Sequence, residues 1–408
     1  MTPISIAFIP LTDCAVLVAA KEKGFAEARG IDLNLVRDVS WATVRDRLVY
    51  GQVQAAHLLA PLAVGVSLGL SQHRAPIAAP FKLNTNGNAI TFSRSLATAL
   101  GGDPLQRVTD PAATARALAS VLPSLDRRPV IAVVHRFSSH ALALRYWLAY
   151  ARIDPDRDIE LRVVPPPLMV DALGRGEIDG FTVGEPWNSV AVDAGVGEIV
   201  AISARIWESG PEKLLAFRED WAESHADTVD DLLRALDDAA RWCDQPDNRD
   251  ELAGILARDE YVGRPDRFLS RALTGKLLLS SRGEEVHSPN YLLLHRHAAN
   301  FPWRSQALWI YSQLVRWNYL PASGEAELAA SKVFRSDIYR RALALSETPL
   351  PTASLKVEGS LGVDYPAASP KGNLTLAPDR FFDGEVFDPE RIGEYIAKQQ
   401  SGLIRPVA

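Results

Sequence analysis

The stretch Gly184-Glu185-Pro186-Trp187-Asn188 follows a strand-like run at residues 178–183 and decides the fold that we expect for this chain. Upstream of that run lie an alternating segment at 159–163, three consecutive prolines and a short apolar helix over 168–173. The predicted strand, helix and strand stop at a Gly-Pro turn, where the backbone can leave one lobe for another.

The same local pattern occurs nearer the N-terminus. A predicted helix from Trp41 to Val49 reaches Gly51, and residues 53–59 are typical of a strand. Gly51 and Gly176 occupy equivalent positions at helix ends, where a left-handed residue closes a helix at little energetic cost. Two similar α/β units, each followed by a loop, predict two lobes that face one cleft.

Composition limits the class of protein. The chain has 408 residues, which exceeds the size at which single hydrophobic cores stop growing and so favours two lobes. A hydrophobic fraction of 47% excludes a disordered chain. The net charge of -6 and the pI of about 5.8 argue against a nucleic-acid-binding surface. Cys14 and Cys243 form neither a disulfide framework nor a metal-ligand spacing.

The N-terminal residues predict the cellular compartment of the protein. Met1–Pro3 lead directly into the alternating run Ile4–Ile9, which is typical of a first strand. No secretory signal pattern precedes it, and no run reaches the roughly 18–20 apolar residues that a spanning helix needs. We therefore expect a cytoplasmic protein without a membrane segment.

Strands alternating with helices along the rest of the chain predict a mostly parallel sheet. Thr12 or Asp13 is expected to cap the first helix. Within residues 83–93, the polar first half is expected to form a loop and the second half a strand that crosses into the other lobe. One helix within polar loops is expected over 94–128.

These elements predict a division of the chain into four parts. Residues 1–90 form the first part of lobe 1, residues 91–187 form lobe 2, and residues 188–345 form a second, helical part of lobe 1. The Pro- and Gly-rich residues 346–408 are expected to wrap around the lobes as an extended segment.

Several short strings, taken in order, resemble one family. They are Pro10-Leu11-Thr12-Asp13, Lys21-Glu22-Lys23-Gly24-Phe25, Ser40-Trp41-Ala42, Leu83-Asn84-Thr85-Asn86-Gly87, Leu144-Arg145-Tyr146-Trp147-Leu148, Val164-Pro165-Pro166-Pro167, Asp179-Gly180-Phe181 through Trp187-Asn188, and Pro211-Glu212-Lys213. The set is similar to the nitrate- and bicarbonate-binding proteins of ABC importers. This resemblance implies an α/β, type II periplasmic-binding-protein fold with an oxyanion held in the cleft between two lobes.

The resemblance also implies the ligand-binding residues. Nitrate-binding members hold the anion with a tryptophan, a glutamine, a histidine and a lysine, and these positions fall here on Trp41, Asn88, His140 and Lys213. Bicarbonate-binding relatives carry a threonine and a glutamate in place of the last two, so His140 and Lys213 favour nitrate or nitrite. Asn88 is one methylene shorter than the family's glutamine, and a water can fill the gap.

The residue types suit a planar, singly charged anion. A lysine supplies the charge that a buried anion needs, while the indole N–H of Trp41 and the imidazole of His140 donate hydrogen bonds. Each residue also has a structural alternative: a solvated loop lysine, a core tryptophan, a satisfied structural histidine, and an asparagine in a turn. Glu185 is expected to be structural, hydrogen-bonding across the hinge.

The sequence lacks the export signal of the importers' receptors. In this respect it is similar to a cytoplasmic branch of the family, the nitrate/nitrite sensors (NasS-like proteins) of nitrate-assimilation operons. That branch implies a protein partner, an RNA-binding antiterminator response regulator (NasT-like), which the sensor sequesters and releases when nitrate or nitrite binds. Two alternatives stay open: a solute receptor of an ABC importer, and a regulatory domain of a transporter ATPase.

No catalytic pattern is found. The chain has no P-loop, and adjacent Ser139 and His140 do not orient a nucleophile toward a base. His295 and His297 are two residues apart, but no third metal ligand is evident. We therefore expect a binding protein that is not an enzyme, with no cofactor, no metal and no direct contact with nucleic acid.

Overall fold

The computed structural model describes residues 1–401 of the chain. Its strands form two larger β-sheets and two small two-stranded sheets. Within the described part, no helix is both long enough and apolar enough to cross a membrane. The strands, in chain order, are β1 Thr2–Phe8, β2 Ile31–Arg37, β3 Ala55–Leu59, β4 Ile77–Asn86, β5 Asn88–Ser93, β6 Val130–Val133, β7 Glu160–Val163, β8 Gly180–Gly184, β9 Gly197–Ile202, β10 Pro211–Arg218, β11 Lys276–Leu278, β12 Glu285–His287, β13 Leu292–Leu293, β14 Tyr365–Ala367 and β15 Leu374–Leu376.

Helices connect most of these strands, and the predicted helix from Trp41 to Val49 is confirmed with the same bounds. The α-helices are α1 Ala15–Glu22, α2 Trp41–Val49, α3 Ala60–Ser67, α4 Arg94–Leu100, α5 Pro104–Thr109, α6 Pro111–Val121, α7 Ser139–Tyr150, α8 Met169–Gly174, α9 Trp187–Asp193, α10 Ser203–Ile206, α11 Glu219–Ser224, α12 Ala226–Cys243, α13 Arg249–Leu256, α14 Asp266–Thr274, α15 Arg304–Arg316, α16 Gly324–Val333, α17 Ser336–Ala342 and α18 Ile392–Ser401. Short 3-10 helices lie at Thr12–Cys14, Glu27–Arg29, Leu122–Ser124, Pro166–Leu168 and Pro246–Asn248.

The first lobe is built on a six-stranded sheet with the order β13-β4-β10-β3-β1-β2. Along β1, Ile6 and Phe8 pack into one hydrophobic cluster and Ala7 into another, as the alternation of a strand requires. Both faces of the strand are therefore buried. Strand β10 runs antiparallel to β3, with Lys213 opposite Leu59. The start of β10 thus lies at the carboxyl ends of the parallel strands β1 and β3, the edge where open α/β sheets bind ligands.

The second lobe is built on a five-stranded sheet with the order β7-β6-β8-β5-β9. Strand β9 pairs with β5, so the chain stays in this lobe after Gly184–Asn188. The prediction that the backbone leaves the lobe at that Gly-Pro turn is wrong, because the buried strand β9 completes the edge of the sheet beside β5. The predicted boundary after residue 187 therefore falls inside the segment that forms the second sheet.

Two connections join the sheets. The outward one is Gly87, between β4 and β5, and the return one is α10 with residues 207–210. Gly87 has a φ of +103°, which favours glycine, and an added Cβ would lie 2.9 Å from Leu292 Cδ1. The chain can therefore pass between the sheets here in a single residue only because that residue has no side chain.

Two predictions for this region are wrong. The polar half of residues 83–93 is not a loop but the end of β4, because its amides are satisfied internally: Asn84 donates to the Asn86 carbonyl at 2.6 Å and Asn86 to the Glu208 carbonyl at 2.7 Å. Residues 94–128 hold three short α-helices instead of one. Asp103 and Asp110 each accept backbone N–H groups as N-caps in front of a proline, and so start new helices.

The C-terminal segment, defined here as residues 346–401, contacts both lobes; the rest of the predicted wrapping segment, 402–408, lies outside the described residues. Tyr146 of the second lobe donates to Asp383 at 3.0 Å, and the Trp309 indole of α15 donates to Tyr395 at 3.2 Å. Phe381 stacks on Trp207 of the return connection, with ring centroids 4.7 Å apart. The segment therefore bridges the lobes beside the return connection.

Candidate functional site

The four residues predicted to bind an anion lie close together where the two lobes meet. Trp41 opens α2 and Lys213 lies in β10, both in the first lobe, whereas Asn88 opens β5 and His140 lies in the first turn of α7, both in the second. Ser40 and Ser138 cap the two helices by accepting backbone N–H groups, which fixes Trp41 and His140 at helix starts. All four are at most 3% exposed, so the lobes are closed over them.

Lys213 is the cation of the site. Its Nζ lies 2.8 Å from Asp13 Oδ2 and 2.5 Å from Glu212 Oε1, and 5.4 Å from the centroid of the Trp41 ring. Burial lowers the pKa of Lys213, but the two carboxylates raise it by more. The net effect places the pKa above its usual value. The lysine therefore stays charged although it is fully buried, and its structural alternative as a solvated loop lysine does not hold.

Glu212 links the lysine to both second-lobe residues, and the sequence interpretation gave it no role of its own. Its Oε2 accepts a hydrogen bond from Asn88 Nδ2 at 2.5 Å, and its Oε1 lies 3.6 Å from His140 Nε2. Burial raises the pKa of Glu212, and the positive charge of Lys213 opposes that rise without cancelling it. The side chain of Asn88 is therefore oriented by a carboxyl group across the lobe boundary.

Asp13 and His57 extend the cluster on the other side of Lys213, and neither was predicted as a site residue. Asp13 was expected as a helix cap, but no side-chain cap is formed at either helix start beside it. Its Oδ1 lies 3.1 Å from His57 Nε2. Burial acts to raise the pKa of Asp13, but Lys213 and His57 outweigh it and hold the pKa below its usual range. Burial lowers the pKa of His57, and the contact with Asp13 opposes that shift without cancelling it.

Several polar atoms in this cluster have no hydrogen-bond partner among the described residues. They include Trp41 Nε1, both ring nitrogens of His140 and Asn88 Oδ1, together with atoms of Asp13 and His57 that meet other groups only in ion-pair contacts. Buried polar groups are nearly always paired, and leaving one unpaired costs about 1–3 kcal/mol. The indole N–H of Trp41 and an imidazole N–H of His140, beside a buried ammonium group, are the kinds of donor that a small anion binds.

Gly184 lets the lobes approach each other at the site. It belongs to the stretch that follows the predicted strand at 178–183. A Cβ added to it would lie 3.2 Å from Asp13 Oδ2 of the first lobe and 3.4 Å from Asn88 Oδ1. A side chain at this position would push the two residues apart. The neighbouring Glu185 is held away from the cation by the Ser189 N–H at 3.1 Å and the Tyr291 hydroxyl at 3.4 Å, and burial raises its pKa to about 7.

A cavity of about 40 Å³ adjoins the cluster at Asn88, Ser139 and Glu212. Its outer wall is aromatic and is formed by Tyr146, Trp207, Trp309 and Phe381. All four aromatic residues belong to the contact with the C-terminal segment described above. Residues 1–401 contain no group of three or more His, Cys, Asp or Glu side chains placed to hold a metal ion.

Comparison with known proteins assigns the chain to a family. The two-sheet architecture with a site between the lobes defines a periplasmic-binding-protein fold: the structure of the periplasmic nitrate-binding protein NrtA from Synechocystis PCC 6803 matches it with a TM-score of 0.85 and 29% identity, over 98% of both chains. The predicted fold class is thereby confirmed. The model of the NMT1-like family matches residues 1–257, and the chain belongs to that family.

Two curated relatives show how far the similarity extends. The chain is 33% identical over 401 residues to the nitrate/nitrite binding protein NrtA of Synechococcus elongatus, covering 96% of this chain and 85% of that protein. It is 36% identical over 341 residues to the nitrate import ATP-binding protein NrtC of Synechocystis sp., covering 83% of this chain but 49% of the relative. The chain thus spans about half the length of that ATP-binding protein.

Proposed function

We propose that this chain is a cytoplasmic sensor that binds nitrate or nitrite between its lobes and controls nitrate assimilation through an RNA-binding antiterminator (NasT-like). In this proposal the sensor holds the antiterminator in the absence of the anion and releases it when the anion binds. The observation that carries the anion-binding part is the buried Lys213 ammonium beside the unpaired donors of Trp41 and His140.

The charge and shape of the site favour nitrate or nitrite over larger oxyanions. One lysine faces the site, and it is already opposed by Asp13 and Glu212, so a doubly charged ion such as sulfate would bury a further charge without a partner. The flat indole of Trp41 suits a planar ion. The names of the relatives NrtA and NrtC, which refer to nitrate or nitrite, support the same choice.

The position of the site explains how binding would change the protein's shape. Trp41 and Lys213 belong to one lobe and Asn88 and His140 to the other, so a bound anion contacts both and stabilises the closed form. A ligand shifts such an equilibrium only by its differential affinity for the closed over the open form. The partner is proposed to bind the open form, which the anion depletes.

A second candidate function shares the site but not the partner. The match to NrtA over 85% of its length supports a solute receptor that delivers nitrate to a permease. The match to part of NrtC supports a regulatory domain of the transporter's ATPase. In both cases closure on the anion would create a surface that binds the transporter, whereas in the sensor it would remove the surface that binds the antiterminator.

Size-exclusion chromatography of the protein with an antiterminator of this class separates these functions. We expect one co-eluting complex without nitrate and two separate peaks with saturating nitrate, because the anion shifts the protein from the open to the closed form. The Lys213→Ala variant serves as control and should keep the complex in both conditions. Absence of a complex without nitrate, or a wild-type complex that survives saturating nitrate, would contradict the sensor function and favour the receptor.

A further inference from the structure

The charges of the cluster do not balance for an incoming anion. Among residues 1–401, Lys213 is the one lysine or arginine in contact with this cluster, where it meets the carboxyl groups of Asp13 and Glu212. Burial lowers the pKa of both His57 and His140, which disfavours a positive charge on either imidazole. With both carboxyl groups ionised, one positive charge already faces two negative ones, and an anion would add a third. Burying such an excess without a partner is strongly disfavoured.

Asp13 cannot remove the excess charge. Its two oxygens face Lys213 Nζ at 2.8 Å and His57 Nε2 at 3.1 Å. These two contacts outweigh the effect of burial and hold the pKa of Asp13 below its usual range. A proton arriving at the site would therefore not settle on this carboxylate.

Glu212 is placed to take a proton. The groups that face it are Lys213 from its own strand, His140 from α7 and Asn88 from β5, with Asp13 and the Tyr291 hydroxyl close enough to interact electrostatically. Burial raises the pKa of Glu212 despite the neighbouring ammonium. Glu212 also lines the cavity that adjoins the cluster.

We propose that the anion binds together with one proton, which Glu212 takes up from solvent, so that its neutral carboxyl group donates an O–H to the anion while Lys213 transfers its contact from Glu212 to the anion. This inference rests on the proposed anion binding and adds Glu212 as a ligand that determines specificity. The only bond formed is the O–H bond of Glu212. A donor at this position fits an ion that carries acceptor oxygens only, as nitrate and nitrite do.

The coupling fixes the direction of the pH dependence. An anion beside Glu212 raises the pKa of its carboxyl group further, because a second negative charge disfavours ionisation. Between the pKa of Glu212 in the free protein and that in the complex, affinity should fall about tenfold for each unit of rising pH. Below the pKa in the free protein the carboxyl group is already protonated, and affinity should level off.

Isothermal titration calorimetry with sodium nitrate, in two buffers of different ionisation enthalpy at each pH, counts the protons taken up. We expect about one proton per nitrate in the wild-type protein within the coupled pH range. The Glu212→Gln variant keeps a neutral amide at this position and should bind nitrate without proton uptake and with little dependence on pH.

The outcomes distinguish a failure of the proposed role of Glu212 from a failure of the proposed function. Nitrate binding without proton uptake in the wild-type protein, or undiminished uptake in Glu212→Gln, would overturn the role of Glu212. If that variant does not fold, an infrared difference spectrum of the wild-type protein should show a carboxylic-acid C=O band gained on nitrate binding, and its absence would overturn the inference. Failure of the folded wild-type protein to bind nitrate at any pH would instead refute the proposed function.

Discussion

Replacing Lys213 with alanine is expected to abolish nitrate binding. The substitution removes the cation of the site and leaves Asp13 and Glu212, both at most 3% exposed, facing the anion. Truncating one partner of a buried charge pair costs about 2–5 kcal/mol, and every 1.4 kcal/mol is tenfold in affinity. Calorimetric titration with nitrate should therefore show a loss of affinity of at least about 30-fold.

Lys82→Ala provides a matched control. Lys82 is also buried in the first sheet, where it lies opposite Leu214 of β10, but its Nζ donates to Gln306 Oε1 at 2.9 Å and contacts neither Asp13 nor Glu212. This variant should lose stability while its nitrate affinity stays within about twofold of wild type, as expected for sites without shared partners. Wild-type affinity in Lys213→Ala would show that Lys213 does not hold the anion.

Replacing Lys356 with alanine is expected to loosen the C-terminal segment and to destabilise the whole protein. Lys356 Nζ forms ion pairs with Glu358 and Asp379, which are 0% and 1% exposed, and Glu358 also accepts from Ser305 Oγ at 2.6 Å. Without the lysine, both carboxylates stay buried and lose their ion-pair partner. The free energy of unfolding should fall by about 3–5 kcal/mol, measured by urea denaturation.

An exposed ion pair in the same segment serves as its control. Lys398 Nζ lies 2.7 Å from Glu385 Oε1, and its side chain is 67% exposed. Lys398→Ala should change the free energy of unfolding by no more than about 1 kcal/mol, since water screens the pair. Equal losses in the two variants would show that burial of the Lys356 cluster does not anchor the segment.

Local sequence signals predicted much of the fold. Ser40 and the apolar positions after it define α2, and the fold class followed from the ordered family motifs. The signals for separate helices within 94–128 were also present, because Asp103-Pro104 and Asp110-Pro111 combine an N-cap with a first-turn proline. Those two pairs could have corrected the prediction of one helix.

Other features depend on pairing between distant segments and left no local signal. A short apolar strand such as β9 has the same sequence pattern whichever sheet it joins, so its pairing with β5 could not be inferred. The contact between Asp13 and Lys213 depends on the order of β1, β3 and β10 in the sheet. Glu212 stood within a quoted motif, but its role depends on the approach of Asn88 and His140 from the other lobe.

A crystal structure of the protein grown with sodium nitrate is the most direct test of the anion site between the lobes. We predict one planar ion within hydrogen-bond distance, about 2.7–3.2 Å, of Lys213 Nζ, Trp41 Nε1 and a ring nitrogen of His140. Finding Lys213 still held by both Asp13 and Glu212, with nitrate absent from the cluster or bound elsewhere, would contradict it.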